Sequence, residues 1–200
     1  MSQDIVVIGA GLIGCGVAYE LAKRGAAVTV YDRAEPARAA SWAGAGMLAP
    51  YSEDVVDPAL LALCAASLRA FPAFVDELRE RTGVDAHLRH EGTLHVAYDE
   101  PSARGLAARC EAFCRNGADA MLFDRDATLA REPMLGGNVR GAVYVANEAH
   151  VDNRRLGRAL VAACTGAGVR FERTDGVELE ADARRVRGIS SGDNVDPKRP

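Results

Sequence analysis

The first 32 residues contain the pattern that most constrains the fold of this chain. An apolar run at 4–8 leads into GAGLIG at 9–14, which has the spacing G-x-G-x-x-G. A helical pattern follows, and a second apolar run at 28–31 ends in Asp32. A strand, a glycine turn, a helix and a second strand with a terminal acid form the fingerprint of a dinucleotide-binding unit. The sequence therefore predicts an α/β fold with a Rossmann-like nucleotide site.

Each glycine of this fingerprint has a physical purpose. Gly9 permits the tight turn out of the strand, Gly11 lets a pyrophosphate approach the backbone, and Gly14 lets the helix pack closely on the sheet. The helix directs its unpaired N–H groups and positive dipole end at the phosphates. Asp32 can accept hydrogen bonds from a ribose. A doubly wound sheet with an empty glycine turn is the alternative.

The rest of the chain has helix and strand patterns. In the first helix Ile13, Val17 and Leu21 recur every fourth residue, which predicts an apolar face directed at the sheet. A long helix is predicted to begin at Asp57, and Pro72 is expected to kink or split it. The core-facing stripe of this long helix is predicted to be Leu60, Cys64, Leu68, Phe71, Phe74 and Leu78. Further strands are predicted at 92–98, 121–123, 142–145, 169–172 and 177–179, and further helices at 103–115 and 126–131. Asp152 is predicted to cap one more helix.

A segment rich in small residues, AASWAGAGMLAP at 39–50, follows the fingerprint. Small side chains let a backbone run against a flat or bulky ligand. A flexible surface loop is the alternative, but Trp42, Met47 and Leu48 are costly to expose in such a loop. The segment is therefore predicted to line a ligand.

Composition excludes several classes of function. The chain is 48% hydrophobic and 26% charged, as in ordinary soluble globular proteins, and its formal net charge of −4 predicts no nucleic-acid partner. The sequence is interpreted as having no apolar run close to the ~20 residues of a membrane span, so no membrane partner is expected. The run at 4–8 is too short for a signal peptide, and a cytoplasmic location is expected.

Cysteines and histidines form no pattern of ligands. The five cysteines are scattered, so no disulfide framework is predicted. Cys110 and Cys114 lie one helical turn apart, but no third ligand is near, and free thiols are favoured over a metal site. No metal is predicted. The four histidines, which are given no catalytic role, are His87, His90, His95 and His150.

Three passages together resemble the FAD-dependent D-amino-acid oxidase-like oxidoreductases. They are residues 8–14 with Asp32, SWAGAGMLAP at 41–50, and HVDNRRL at 150–156. Within this family the chain is most similar to the glycine oxidases of thiamine biosynthesis, and sarcosine-oxidase-like enzymes are near relatives. The resemblance runs from residue 3 to about residue 189.

The resemblance implies a Rossmann-like FAD-binding domain interrupted by part of an α+β substrate domain. The FAD-binding domain is expected at 1–50 and 146–189, and the inserted segment at 51–145. The family's chain continues well past residue 200, so the fold is expected to be incomplete and the chain a fragment. Residues 190–200 are polar and aperiodic and are expected to form a disordered tail.

The resemblance implies FAD as the cofactor and supplies its contacts position by position. The implied residues are Gly9, Gly11 and Gly14 of the fingerprint, Leu12 and Ile13 at the pyrophosphate, Asp32 and Arg33 at the adenosine ribose, Ala40 and Ser41 along the phosphates, Ala45, Gly46 and Met47 beside the flavin, and Val177 at the adenine. Two of these have simpler explanations, because Val177 is equally explained as a core residue and Arg33 as a solvated charge.

The implied reaction is oxidative deamination of glycine, or of another small amine or D-amino acid, with oxygen. Its products are an imine or 2-oxo acid, ammonia and hydrogen peroxide. The substrate-clamping arginine lies in the second half of the family's chain, so no catalytic residue is assigned and the chain alone is expected to be inactive.

Two other functions are open at this point. The chain could be a nicotinamide-dependent dehydrogenase, or a non-enzymatic remnant that binds nucleotide and exposes open sheet edges. The sequence leaves open which small amino acid is the substrate and whether the chain forms a homo-oligomer.

Overall fold

The computed structural model describes residues 4–53, 57–183 and 186–191. The elements in chain order are β1 (Asp4–Ile8), α1 (Leu12–Lys23), β2 (Ala27–Asp32), α2 (Ala40–Ala43), β3 (Met47–Leu48), α3 (Pro58–Thr82), β4 (Thr93–Ala97), α4 (Glu100–Arg115), β5 (Ala120–Asp124), α5 (Arg125–Arg131), β6 (Gly141–Val145), β7 (Ala149–His150), α6 (Asn153–Gly166), β8 (Arg170–Arg173), β9 (Val177–Ala181) and β10 (Val186–Ser191).

These elements belong to two compact units. Unit 1 takes the described residues of 1–45, 75–87 and 152–200, and unit 2 takes those of 46–74 and 88–151. Compared with the two domains expected from the sequence, 46–50 and 146–151 join unit 2, and 75–87 joins unit 1. The first of these differences has a clear cause, because β3 and β7 pair with each other as antiparallel strands.

Most predicted helices and strands are confirmed, with shifts of a few residues at their ends. Two predictions about α3 are corrected: Pro72 does not split it, since it lies inside one continuous helix, and Leu60 is exposed whereas Leu61 is partly buried. A kink at Pro72 stays a prediction. The predicted disordered tail is wrong for Ser190 and Ser191, which pair with β9 as part of β10. The remainder of that tail, 192–200, lies outside the described residues.

Unit 1 contains a three-stranded parallel sheet in the order β1-β2-β8. Its central strand β2 is the most buried, with Val28, Thr29 and Val30 all below a tenth exposed. Helix α6 is capped by Asp152, whose carboxylate accepts hydrogen bonds from the N–H groups of Arg154 and Arg155, both at 3.0 Å. The predicted cap of this helix is therefore confirmed. Because the strands are parallel, their carboxyl ends share one edge of the sheet.

The packing of α1 differs from the prediction. Ile13 is 83% exposed and Val17 is 47% exposed, whereas Cys15, Ala18 and Tyr19 are fully buried. Near the glycine turn and α6 the helix presents the small residues Cys15 and Ala18 inward, because it approaches both closely. The Sγ of Cys164 on α6, for example, donates to the Cys15 carbonyl at 3.2 Å.

Unit 2 is built on an antiparallel sheet in the order β4-β6-β5. Helix α4 packs on this sheet. The core of the unit consists of Tyr51, Ala65, Ala97, Leu106, Phe113, Ala118, Val143 and Val145. A second, two-stranded sheet joins β3 to β7.

A fully buried carboxylate, that of Glu148, organises one loop of unit 2. Its Oε1 accepts hydrogen bonds from the N–H groups of Tyr51 and Ser52, both at 2.9 Å, and its Oε2 accepts one from the Ser52 hydroxyl. His95 Nε2 lies 2.7 Å from the same hydroxyl. The network satisfies the buried acid and fixes the loop that follows β3.

Helix α3 has the length and composition of a membrane span. An 18-residue window of this 25-residue helix has a mean hydropathy of 1.7, and 11% of the window is buried. Residues 58–75 contain one charged residue, Arg69, so the expectation that no apolar run approaches such a length is corrected. A long core helix of a soluble protein passes the same test, and the absence of a membrane partner stays a prediction.

A charged cluster in unit 1 joins α1 to the last turns of α3. The Tyr19 hydroxyl donates to Glu77 Oε1 at 2.6 Å, and Lys23 Nζ donates to Glu77 Oε2 at 2.8 Å. The hydrogen bond from Lys23, followed by that from Tyr19, lowers the pKa of Glu77 below its ordinary value. Burial, followed by the bond to Glu77, raises the pKa of Tyr19 to about 12.

Replacing Glu77 by Gln is expected to destabilise the protein in a pH-dependent way. The folded-state pKa of Glu77 is depressed, so its contribution is present above the unfolded value of ~4.3 and is lost as the pH falls through the folded value. The loss in melting temperature relative to the parent is therefore expected to be largest near neutral pH and to shrink below ~4. Thermal unfolding of the parent, Glu77→Gln and the control Glu111→Gln across this range checks it. A deficit independent of pH contradicts it.

Candidate nucleotide-binding site

The turn between β1 and α1 has the geometry that the fingerprint predicts. Gly9 has a φ of 103°, a conformation that favours glycine, and its N–H donates to the Tyr31 carbonyl at 2.7 Å. A Cβ built on Gly14 would lie 1.8 Å from the Gly9 carbonyl oxygen, so no larger residue fits there without movement. A Cβ built on Gly11 would lie 3.0 Å from the Ser41 hydroxyl.

Three residues predicted at the phosphates meet at the start of α1. Ser41 Oγ accepts a hydrogen bond from the Leu12 N–H at 3.0 Å, and Ile13 follows in the same turn. The N–H groups of a first helical turn have no acceptor within the helix. This end of α1 therefore offers N–H donors and a hydroxyl to an anion.

Asp32 holds the turn together from the end of β2. Its Oδ2 accepts a hydrogen bond from the Ala10 N–H at 2.7 Å, and its Oδ1 accepts one from the Ala34 N–H at 2.8 Å. A carboxylate oxygen can accept more than one hydrogen bond, so both oxygens keep capacity for a hydroxyl donor. Asp32 thus fixes the backbone of the glycine turn and can still receive a ligand.

The residues predicted at the adenosine line one cavity of unit 1. Asp32, Arg33 and Val177 all border a cavity of about 260 Å³ at the carboxyl ends of β1, β2 and β8. Its other lining residues are Ile8, Gly9, Tyr31, Thr174, Asp175 and Gly176. Val177 faces this cavity and is only partly buried, which favours the ligand interpretation over the core one.

Sequence reasoning missed Thr174, Asp175 and Gly176. The Thr174 N–H donates to the Asp32 carbonyl at 3.0 Å. This hydrogen bond holds the segment after β8 at the edge of the cavity. The predicted strand at 169–172, followed by polar and glycine residues, was the available signal, because loops after neighbouring parallel strands meet at the same sheet edge.

The first part of the small-residue segment is held by the start of α6. Asn153 Nδ2 donates to the Ser41 carbonyl, and Arg154 Nε donates to the Trp42 carbonyl at 3.2 Å. Ala40 and Ser41 lie in the single turn of α2, which the sequence did not predict, and Ala45 beyond it is exposed. Neither Asn153 nor Arg154 was assigned a role, although both lie in the passage 150–156 that carries the family resemblance.

Gly46 and Met47, the two remaining predicted residues, belong to unit 2. Gly46 has a φ of 76° and accepts a hydrogen bond from the Val151 N–H at 2.9 Å. Met47 pairs with His150 and is 54% exposed. From the sequence, exposure of this apolar side chain is expected to be unfavourable, and in this structure the side chain is exposed. Within unit 2 Met47 borders an apolar cavity of about 310 Å³, whose other lining residues include Leu48, Cys64, Leu68 and Phe71.

The described residues form no metal site and no disulfide. Among the described residues no group of three or more His, Cys, Asp or Glu side chains could hold a metal ion. All five cysteines are free thiols. A hydrogen bond with Cys164, together with burial, raises the pKa of the Cys15 thiol above its ordinary value, which favours the thiol over the thiolate.

The residues present fit a dinucleotide such as FAD. Open space beside Gly9, the N–H donors of α1 next to Ser41, and a carboxylate beside a nucleoside-sized cavity all belong to unit 1. Together they match what a pyrophosphate and an adenosine ribose require.

Comparison with known proteins agrees with this geometry. The family described as "DAO: FAD dependent oxidoreductase" matches residues 4–197. The chain is 34% identical over 196 residues to the glycine oxidase of Pseudomonas aeruginosa, covering 98% of this chain and 50% of the relative. It is 35% identical over 180 residues to the bifunctional protein ThiO/ThiG of Trichormus variabilis, covering 90% of this chain and 27% of the relative.

A solved structure shows the same fold. The crystal structure of glycine oxidase from Geobacillus kaustophilus superposes with a TM-score of 0.81 at 30% identity, over 89% of this chain and 48% of that one. The chain thus spans about half the length of the glycine oxidases that it matches. It belongs to the family of FAD-dependent oxidoreductases related to D-amino-acid oxidase.

Replacing Gly14 by Ala is expected to disrupt the glycine turn. The added Cβ would overlap the Gly9 carbonyl oxygen at 1.8 Å, so α1 must move away from β1, at a cost of about 1–3 kcal/mol or more. A matched control is Gly16→Ala, because a Cβ at Gly16 meets no atom within 4 Å. In the helix interior this change is expected to stabilise by up to ~1 kcal/mol. Thermal unfolding checks the pair, and equal melting temperatures contradict the expectation.

Proposed function

We propose that this chain is the cofactor-binding part of a FAD-dependent oxidase of glycine or a similar small amino acid. The observation that supports it best is the meeting of Gly9 of the glycine turn, Asp32 and Val177 around one nucleoside-sized cavity. Similarity to glycine oxidases at 30–34% identity supports the substrate class. We further propose a cytoplasmic role in thiamine biosynthesis, supported by the similarity to a ThiO/ThiG protein.

In the proposed oxidase the cofactor and the protein have different roles. Bound FAD would supply the redox chemistry of the oxidase, as acceptor of the hydride from the substrate Cα and as donor of electrons to oxygen. The first-turn N–H groups of α1 hold the pyrophosphate, and Ser41 adds a hydroxyl beside them. Asp32 accepts hydrogen bonds from the adenosine ribose, while Arg33 and Val177 border the adenosine. From the resemblance alone, Ala45–Met47 is proposed to run beside the flavin.

A second candidate function is nucleotide binding without turnover by this chain alone. It is favoured by the coverage of only 48–50% of the matched glycine oxidases. No catalytic residue of the oxidase reaction is assigned within the chain. On this proposal unit 1 binds the cofactor, and deamination requires further polypeptide of the kind that the relatives possess.

Binding of FAD is tested by adding it to the purified 200-residue chain, removing the excess and recording the visible spectrum. We expect the flavin band to be retained with FAD but not with FMN, because FMN lacks the adenosine that the cavity accommodates. Replacing Asp32 by Ala removes the acceptor for the ribose and for the Ala10 N–H, so FAD affinity is expected to fall at least tenfold. Glu172→Ala, an exposed carboxylate outside the cavity, is the control.

The same preparation separates the two candidate functions. If the chain alone lacks turnover, glycine neither bleaches the retained flavin nor yields peroxide. Peroxide formation from glycine by the 200-residue chain would overturn the second candidate and support an oxidase that needs no further polypeptide. Equal retention of FAD by the parent and Asp32→Ala would contradict the site itself.

A further inference from the structure

A second cavity in unit 1 lies apart from the nucleotide cavity. It has a volume of about 280 Å³ and shares no lining residue with the cavity at Asp32. One side is formed by 36–38 and Trp42, and the other by α6. Its lining residues are Pro36, Ala37, Arg38, Trp42, Arg154, Gly157, Arg158, Val161 and Ala162.

Two arginine side chains lie over the indole ring of Trp42 at this cavity. The guanidinium carbon of Arg38 lies 4.1 Å from the centre of the ring, and that of Arg154 lies 4.8 Å from it. Guanidinium groups over an indole face are attracted by its π electrons, which holds the two cations near each other. The bond from Arg154 Nε to the Trp42 carbonyl fixes the second of them further.

These cations have little compensating charge. Arg38 pairs with the exposed Glu35, at 3.3 Å between Nε and Oε2. Arg154 uses only its Nε, so its terminal nitrogens are free to donate, and Arg158 makes no hydrogen bond or ion pair within the described part of the chain. The nearby Asp152 pairs with Arg155, at 3.6 Å. Two carboxylates thus lie near the three guanidinium groups of the cavity: Glu35 pairs with Arg38, and Asp152, which pairs with Arg155, also attracts Arg158. The cavity therefore keeps an excess of positive charge.

Apart from its three arginines and Trp42, the cavity is lined by residues without charge. These residues are apolar or small, namely Pro36, Ala37, Gly157, Val161 and Ala162. Helix α6 packs closely against Ala37 here, because a Cβ built on Gly157 would lie 2.7 Å from the Ala37 Cβ. A ligand with an apolar body and an anionic group satisfies both parts of the cavity. A guanidinium fork matches phosphate and carboxylate oxygens in paired hydrogen bonds.

We propose that this cavity is a second ligand site, for a small organic anion that carries a phosphate or carboxylate group on an apolar body. Arg158 and Arg154 bind the anionic group, and the apolar wall on α6 contacts the body. The site is separate from the FAD site and does not depend on the proposed oxidase activity.

Trp42 provides a specific reporter, because it is the only tryptophan in the chain. The test is a fluorescence titration of the 200-residue chain with phenyl phosphate and with benzoate at constant ionic strength. Benzyl alcohol is the neutral control, and sodium chloride is the control for salt. We expect saturable changes with one or both anions and none with the controls, and the tighter-binding anion identifies the preferred charged group.

Variants assign the effect to the cavity. Arg158→Gln removes one guanidinium and is expected to weaken binding of the preferred anion about tenfold, and Arg154→Gln is expected to do the same. Arg158→Lys keeps the charge without the fork and is expected to be intermediate. Arg104→Gln, in α4 of unit 2, is the control and is expected to bind like the parent.

Three results would overturn the proposal. They are no saturable change with either anion, an equal change with benzyl alcohol or chloride, and unaltered affinity in Arg158→Gln when that variant melts like the parent. Arg158 is exposed on α6, so its replacement is not expected to impair folding. A separate failure of FAD binding would leave this test valid, provided that the chain melts cooperatively.

Discussion

The close approach of Gly14 to the Gly9 carbonyl is the contact on which the nucleotide site depends. With 1.8 Å between that oxygen and any Cβ at position 14, only a residue without a side chain lets α1 begin so near the end of β1. This contact fixes the rotation of α1 about its axis. Cys15 and Ala18 then face inward, Ile13 faces outward, and the first turn of α1 begins directly at the glycine turn.

Asp32 extends this constraint across the sheet. Its carboxylate accepts hydrogen bonds from the Ala10 and Ala34 N–H groups, while its backbone carbonyl accepts one from Thr174. One residue therefore connects the turns that follow β1, β2 and β8. The cavity bordered by Asp32, Arg33 and Val177 lies where these turns meet, so the acid of the fingerprint has a structural role as well as the proposed binding role.

Much of the fold could be predicted because its signals are local. Glycine spacing, the Asp152 cap and the apolar strands depend on neighbours within a few residues, and the structure confirms them. The inward face of α1 could not be read from periodicity, because the spacing of Ile13 and Val17 reports where apolar residues lie and not which face approaches the sheet most closely. Here steric contact at Gly14 decided the outcome.

The features that were missed depend on residues far apart in the sequence. The two-residue strands β3 and β7 are too short to carry a pattern, and only their pairing draws 46–50 and 146–151 into unit 2. Asn153 meets the Ser41 carbonyl across 112 positions of the chain. Within the candidate site, the fingerprint and the family resemblance therefore supplied the residues proposed to approach the ligand, whereas the residues that hold the small-residue segment were found only from three-dimensional contacts.

The binding of a pyrophosphate at the start of α1 is tested most directly by amide NMR of the isotope-labelled chain during a titration with FAD. We expect the largest saturable shifts at the amides of 11–14, of Asp32 and of Val177, with the amides of β4 unchanged. Shifts confined to other residues, with 11–14 unmoved at saturation, would contradict the assignment of the nucleotide site to the glycine turn.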